Sequence, residues 1–220
     1  TGRNVGYMCR LGLSTFLCEG AIATMMFAGN YVFIRHLGED GVATYGVLMY
    51  VQFIFVAIDI GYSIGCAPII SYHYGARNHP ELRNLLMKGL KVMGILGIVM
   101  TIAAISLSGT LANIFVGYDA TLCELTRHAF RLFSFAFLLA GFNIFLSSFF
   151  TALGDGVTSA LISFLRTLLF QLLALILLPL VLGIEGVWLA VTVAEAGALC
   201  VTVLMFVRKD KVFHYRKAQC

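Results

Sequence analysis

Long apolar runs alternate with short polar breaks along the whole chain. Six runs stand out, at residues 11–34, 42–72, 92–116, 122–153, 157–182 and 187–207. A helix needs about 20 mostly apolar residues to cross the hydrocarbon core, and each run reaches that length. Strands of a membrane barrel are about 10 residues long and alternate apolar with polar, which these runs do not. An open sheet would leave its backbone groups unpaired in lipid, so helices are predicted throughout. Between the runs stand "HLGEDG" (His36–Gly41), "GYD" (Gly117–Asp119), "GDG" (Gly154–Gly156) and "GIEG" (Gly183–Gly186). Glycine and aspartate suit the backbone angles of tight turns. Connections this short place consecutive helices antiparallel and side by side. The second break is different: "APIISYHYGARNHPEL" (Ala67–Leu82) passes from apolar residues through a proline to aromatic, glycine-containing and basic ones. Within it "NHPEL" suits a helix start, with Asn78 or His79 outside the helix, Pro80 in its first turn and Glu81 favourable to the dipole.

Polar residues inside the runs are few and fall at helical spacing. Thr15, Glu19, Ala23, Met26 and Asn30 share a face of the first run, and Tyr45, Gln52, Asp59, Ser63 and Cys66 one of the second. Ser159, Ser163 and Arg166 do so in the fifth, and Trp188, Thr192, Glu195 and Thr202 in the sixth. A charge at mid-bilayer costs about 2.5–3.5 kcal/mol on insertion scales, so it needs a partner, a wet cavity or a task. Four such charges lie deep in the runs: Glu19, Asp59, Arg166 and Glu195. Four helices with one polar face each imply a shared polar interior. Arg166 and Glu195 stand at similar depth on neighbouring helices and are placed to pair. Gly61 and Gly65 form a small-residue pair opposite Asp59, which suggests close helix packing there and a polar stripe turned to a cavity.

Composition agrees with the bilayer as solvent. The 220 residues are 60% hydrophobic and 12% charged, against about half and about a quarter in soluble domains. The net charge of +4 matters less than its placement. Eleven of the fifteen Lys and Arg flank the runs on one side, before the first, between the second and third, and after the sixth. That side is therefore expected to be cytosolic, with both ends of the segment there and the chain in the inner (plasma) membrane. The basic stretch after Gly75 reads as a helix lying along anionic headgroups, with lipid rather than nucleic acid as its partner.

Enzymatic and metal chemistry find little support. The six cysteines include no C-x-x-C pair and read as small apolar residues. Gly61-Tyr62-Ser63-Ile64-Gly65 matches G-x-S-x-G, but a nucleophile elbow needs a strand-to-helix turn and a histidine base. Here the context is a membrane helix, and no histidine lies deep in any run. The expectation is no enzyme, no catalytic residue, no metal site and no cofactor.

Several segments, in order, resemble one family of twelve-helix transporters. "APIISYHYGARNHPEL" is similar to the end of the eighth helix of multidrug and toxic compound extrusion (MATE) transporters, where Pro-Ile-Ile-Ser-Tyr-x-Tyr-Gly-Ala leads into a cytosolic link. Asn30 with "LGEDGVATYGV" resembles the turn between the seventh and eighth helices, "FFTALGDG" the end of the tenth, "LISFLRTLLFQ" the eleventh and "GIEGVWLAVTVAE" the start of the twelfth. The resemblance implies an all-α, six-helix transmembrane lobe over residues 1–220, the second of two pseudo-symmetric lobes. The chain, which opens on Thr1, is then expected to be part of something longer, with the missing N-terminal lobe as its partner. Members export amphipathic, often cationic, drug-like compounds in exchange for H⁺ or Na⁺. An acid of the seventh helix takes part in coupling in some of them, and Glu19 matches that helix. With Asn30, Asp59, Met26, Arg166 and Glu195 it forms the expected coupling and substrate site. Those members also use an acid deep in the tenth helix. The fourth run has Glu124 only near its outer end, so coupling is expected to draw on acids of the missing lobe. A lipid-linked saccharide flippase of related architecture is the alternative, favoured by Arg127, Arg131 and Arg166.

Overall fold

A computed structural model describes the backbone of residues 2–213 and the side chains of residues 20–210. Every described element is helical: α1 (Gly2–Gly75), α2 (His79–Val116), α3 (Ala120–Phe133), α4 (Phe135–Ala152), α5 (Gly156–Phe164), a π-helical segment (Leu165–Phe170), α6 (Gln171–Leu182) and α7 (Ile184–Phe213). Among the described residues, five stretches are long and apolar enough to cross a membrane. The first, Gly20–Gly75, has 56 residues because it holds two legs. In a straight helix Phe33 and Tyr45 would lie about 18 Å apart along the axis. Their rings instead stack with centroids 4.4 Å apart, so the chain folds back between them. The reversal is at Gly38, whose φ of 68° and ψ of −153° suit glycine alone. The link expected over His36–Gly41 is thus compressed to one residue. Below, the two legs are the first arm (before Gly38) and the second arm (after it).

The second arm continues through Pro68 to Gly75. Its end is closed by the Asn78 N–H donating to the His73 carbonyl at 2.9 Å. Asn78 then caps α2: its side chain accepts from the Glu81 N–H at 3.3 Å, with proline in the first turn. This is the helix start that the sequence predicts. At the break between α3 and α4, Ser134 sits between the two helices. Its hydroxyl donates back to the Phe130 carbonyl, which loosens the regular ladder. Thr101, buried on α2, donates to both the Gly97 and Ser134 carbonyls, at 2.7 and 3.2 Å.

Packing divides the lobe into two apolar clusters. One lies toward the Gly38 end and includes Phe33, Leu48, Phe130, Phe137 and Trp188. The other lies toward the opposite end and includes Ile70, Leu86, Phe145, Phe149 and Phe150. Outside them, large apolar side chains such as Phe27 (79% exposed) and Val181 (82% exposed) face outward, where lipid is their natural solvent.

The end opposite Gly38 is tied by polar contacts. Ser71 donates to the Ala152 carbonyl at 2.8 Å, and Lys209 pairs with Asp155 at 2.8 Å. Asp155 also caps α5 by accepting from the Thr158 N–H and hydroxyl. Burial pushes the Asp155 carboxyl up, but the hydrogen bonds from Lys209 and Thr158 outweigh it and hold the group below its ordinary value of 3.8. A depressed folded-state value stabilises the fold above the unfolded value, and the effect is lost as pH falls through the folded one. Asp155→Asn keeps a capping side chain but loses this contribution. The variant is expected to melt below the parent at neutral pH, and the gap should close as pH falls below 3.8. Melting followed by intrinsic fluorescence across that range checks it.

Candidate functional site

Between the two apolar clusters lies a polar layer, built by the second arm, α4, the π-helical segment and α7. Its centre is Asn143 on α4, which is fully buried. The Asn143 amide donates to the backbone carbonyl of Glu195 at 3.1 Å and to Glu195 Oε2 at 2.8 Å. Its oxygen accepts from the Thr202 hydroxyl at 3.1 Å. One side chain therefore clamps two turns of α7. Arg166 of the π-helical segment donates through Nε to both Glu195 oxygens, at 2.8 and 2.9 Å. The pairing that depth suggested is formed. A π turn carries more residues than an α turn and is frequent at functional sites.

Toward the Asp155 end the layer continues as hydroxyls. Ser147 meets Ser159 at 2.9 Å and Ser163 at 3.0 Å, and Thr151 donates to Ser159 at 2.7 Å. These contacts join α4 to α5 without a charge.

One side of the layer opens into a cleft of about 580 Å³. Its walls include Met26 and Tyr45, Gln52 and Ser63 of the two arms, Asn143 and Ser147 of α4, and Arg166, Gln171 and Glu195. Met26 is half exposed there. The Gln52 side-chain oxygen is buried in the wall with no hydrogen-bond partner among the described residues. The volume is in the range of drug-sized ligand sites, and the lining is mostly apolar with a few polar groups. Among the described residues no cluster of His, Cys, Asp or Glu has the makings of a metal site.

The expected site residues are only partly brought together. Met26, Arg166 and Glu195 line the cleft. Asn30 is exposed on the first arm and outside the cleft lining. The Glu19 side chain lies outside the described residues. Asp59 is 3% exposed and sits behind the cleft wall. Its carboxylate lies against Gly141 of α4, where a Cβ would come within 3.2 Å of Oδ1. It is within electrostatic range of Arg166 and Glu195.

That placement corrects the expected packing of the second arm. Gly61 and Gly65 are exposed, and a Cβ on either would meet nothing within 4 Å. The carboxylate turns inward instead, toward Arg166, because a charge facing outward in the membrane would have no partner. Close approach is made by other glycines, Gly97 on α2 and Gly141 on α4. The centre of the network, Asn143, lies inside the fourth run and is not among the expected site residues. Its signal is an amide alone within "FAFLLAGFNIFL", a place where an unpartnered amide is costly.

Comparison with known proteins places this architecture. The MatE family model matches residues 17–176. The multidrug export protein MepA of Staphylococcus aureus (strain N315) is 22% identical over 207 residues, covering 92% of this chain and 44% of MepA. Among solved structures, an inward-facing multidrug resistance MATE family transporter of the MOP superfamily has a TM-score of 0.90 at 20% identity, covering 99% of this chain and 50% of that one. An outward-facing transporter of the same description has a TM-score of 0.85 at 22% identity, covering 93% and 46%. A MOP superfamily transporter from Pyrococcus furiosus, described by the reverse polarity of its binding pocket, has a TM-score of 0.84 at 21% identity, covering 93% and 46%. The chain spans about half the length of the relatives it matches.

Proposed function

The chain belongs to the MatE family, and on that premise we propose that it is the second lobe of a multidrug exporter. It is a helical, multi-pass membrane protein. In our reading the missing N-terminal lobe closes the cleft from the other side, and the pair exchanges H⁺ or Na⁺ for amphipathic, often cationic compounds. The observation that carries the reading is the cleft of about 580 Å³ with a charged network in its wall. Rocking of one lobe against the other would open such a cleft to each side of the membrane in turn. The segment would lie in the plasma membrane with both of its ends cytosolic.

Coupling needs a carboxylate that can exchange its cation as the cleft opens. Glu195 is held by Arg166 and Asn143, so its role is to fix α7 to the π-helical segment and α4. Asp59 accepts no hydrogen bond on its carboxylate among the described residues, which leaves it free to take H⁺ or Na⁺. Glu19 stands about 12 Å into the first run, counted from residue 11 at about 1.5 Å per residue, and is the leading candidate because it matches the seventh-helix acid of the family, with Asp59 behind the cleft wall ranked after it. No step forms or breaks a covalent bond, so the work is binding and conformational change. The flippase alternative draws on Arg166 in the wall. However, Glu195 offsets that charge, and Arg127 and Arg131 are outside the cleft lining.

Efflux of a cationic dye from proteoliposomes holding the full-length transporter tests the reading under imposed H⁺ and Na⁺ gradients. Glu19→Gln keeps the shape of the side chain but removes its charge, and it is expected to reduce gradient-driven efflux strongly while abundance stays near the parental level. Asp59→Asn is expected to have a weaker effect. Parental efflux in both variants would move coupling wholly to the missing lobe. No gradient-driven efflux by the parent would reject antiport.

A further inference from the structure

We propose that the back of the lobe, the face of α3 and α4 turned away from the cleft, holds an anionic phospholipid, with its phosphate on Arg127 and Arg131 and one acyl chain in the apolar groove beyond them. The site is separate from the cleft and independent of what the cleft binds. Eleven of the fifteen Lys and Arg flank the runs on the other side of the membrane, so these two are retained where cations are disfavoured. Both are exposed on α3. Neither makes a hydrogen bond or ion pair among the described residues, and α2, α3, α4 and α7 as far as Asp210 are all described. The acids nearby are otherwise placed. Glu185 pairs with His128 at 2.8 Å, Asp119 caps α3, and the exposed Glu124 forms no ion pair with either arginine. Counted at about 1.5 Å per residue from Ala152, near the Lys209–Asp155 pair, Arg131 lies about 32 Å toward the Gly38 end. The hydrocarbon core is about 30 Å thick, so Arg131 stands at the level of the lipid phosphates. That leaflet is the outer one in the orientation proposed above.

Helical spacing ties the arginines to the groove. Arg131, Phe135, Leu138 and Phe142 recur at intervals of four, three and four residues, which is one face of a helix. Ser134 between α3 and α4 keeps helical angles (φ −58°, ψ −27°), so the face runs on through the break. Ser147 and Thr151, which line the cleft, lie on the opposite face of α4. One wall of the groove is α2: a Cβ on Gly109 would lie 3.9 Å from Arg127 Nε, and one on Gly94 would lie 3.4 Å from the Phe142 ring. The other wall is α7, where Glu185 reaches His128 and Leu199 and Phe206 follow at multiples of seven. Between the walls Phe142, Leu90, Leu146, Leu199 and Val203 line an apolar cavity of about 430 Å³. It begins about 16 Å from Arg131 along the helix, within reach of an acyl chain whose phosphate rests there. At the cavity's far end the same faces carry Arg83 on α2 and Asp210 on α7, charges of opposite sign. The uncompensated cations are therefore Arg127 and Arg131. A phosphate presents oxygens that both guanidinium planes can take, and the chain below it fills a cavity that offers a solute no polar partner.

Photolabelling tests the site. The full-length transporter in lipid nanodiscs is irradiated with phosphatidylglycerol that carries a diazirine at the end of one acyl chain, and the adducts are mapped by peptide mass spectrometry. Labelling is expected within 142–146 and 199–207, and it should be several-fold weaker from phosphatidylcholine with the same chain. Arg127→Gln with Arg131→Gln keeps polar, exposed side chains and should lower groove labelling about tenfold, the effect of losing a charge-assisted contact. Arg83→Gln should leave it at the parental level. Equal labelling of the parent by the two lipids overturns the proposal even if the double variant does not fold. Parental labelling in a folded double variant also overturns it. Loss of labelling in Arg83→Gln alone moves the phosphate to the other end of the groove and overturns it too. Loss on adding inorganic phosphate at constant ionic strength marks a site for a free anion and does the same.

Discussion

Glu195→Ala is expected to destabilise the protein by about 3 kcal/mol, the low end for removing one member of a buried ion pair. Glu195 joins three elements at once: it takes Arg166 from the π-helical segment and Asn143 from α4, and it is itself part of α7. Alanine leaves the guanidinium with no counter-charge and the Asn143 amide with only the backbone carbonyl of residue 195. Glu195→Gln keeps an acceptor for both and should cost about 2 kcal/mol, within the range for hydrogen bonds to charged groups. Removing both charged partners should cost less than the sum of the two single changes, since each single change strands the other group. Thermal unfolding in detergent, read by size-exclusion chromatography with fluorescence detection, measures all three. If Glu195→Ala melts with the parent, the pair holds nothing together.

Gly97→Leu is expected to cost about 3 kcal/mol, at the upper end for overpacking a close interface. A Cβ at Gly97 would lie 3.1 Å from Leu138 Cα, 3.1 Å from the Leu138 carbonyl oxygen and 3.2 Å from that of Phe137. All three are backbone atoms of α4, so no rotamer change relieves them. Alanine there requires a shift of a few tenths of an ångström, whereas leucine drives α2 and α4 apart and strains the buried Thr101 bond to Ser134. Gly65→Leu is the contrast: a Cβ there meets nothing within 4 Å, so the lobe should keep its stability. Equal losses at the two positions would show that the packing face of the second arm has been misassigned.

These two sites mark how far the sequence could be read. The helical class and the apolar segments were legible because the bilayer imposes a length and a composition that few other structures need. The Asn78 cap was legible because its signal is local, an acceptor three residues before the N–H it receives. The pairing of Arg166 with Glu195 was legible from charge and depth. The orientation of the second arm was not. Gly61 and Gly65 present a small-residue face that suits close packing, and only the approach of Gly141 to Asp59 shows which side is buried. The hydroxyl cluster was hidden for another reason. Serine and threonine in a membrane helix can satisfy themselves on a carbonyl one turn back, as Thr151 does on Ser147 at 3.3 Å, so their presence announces no partner. The π-helical segment has no sequence signal of its own, because its apolar residues suit an ordinary helix equally well.

The account stands most directly on whether the cleft is the place that substrate occupies. In a cysteine-free full-length transporter, Met26→Cys and Ser163→Cys put a thiol in the cleft wall, and Tyr118→Cys puts one in the exposed link after α2. The rate of modification by a water-soluble maleimide can be measured with and without saturating transported dye. The account predicts that dye slows modification at both cleft positions and leaves Tyr118→Cys unchanged. Equal rates with and without dye at Met26→Cys and Ser163→Cys, under conditions where dye is exported, would contradict it and place the pathway elsewhere.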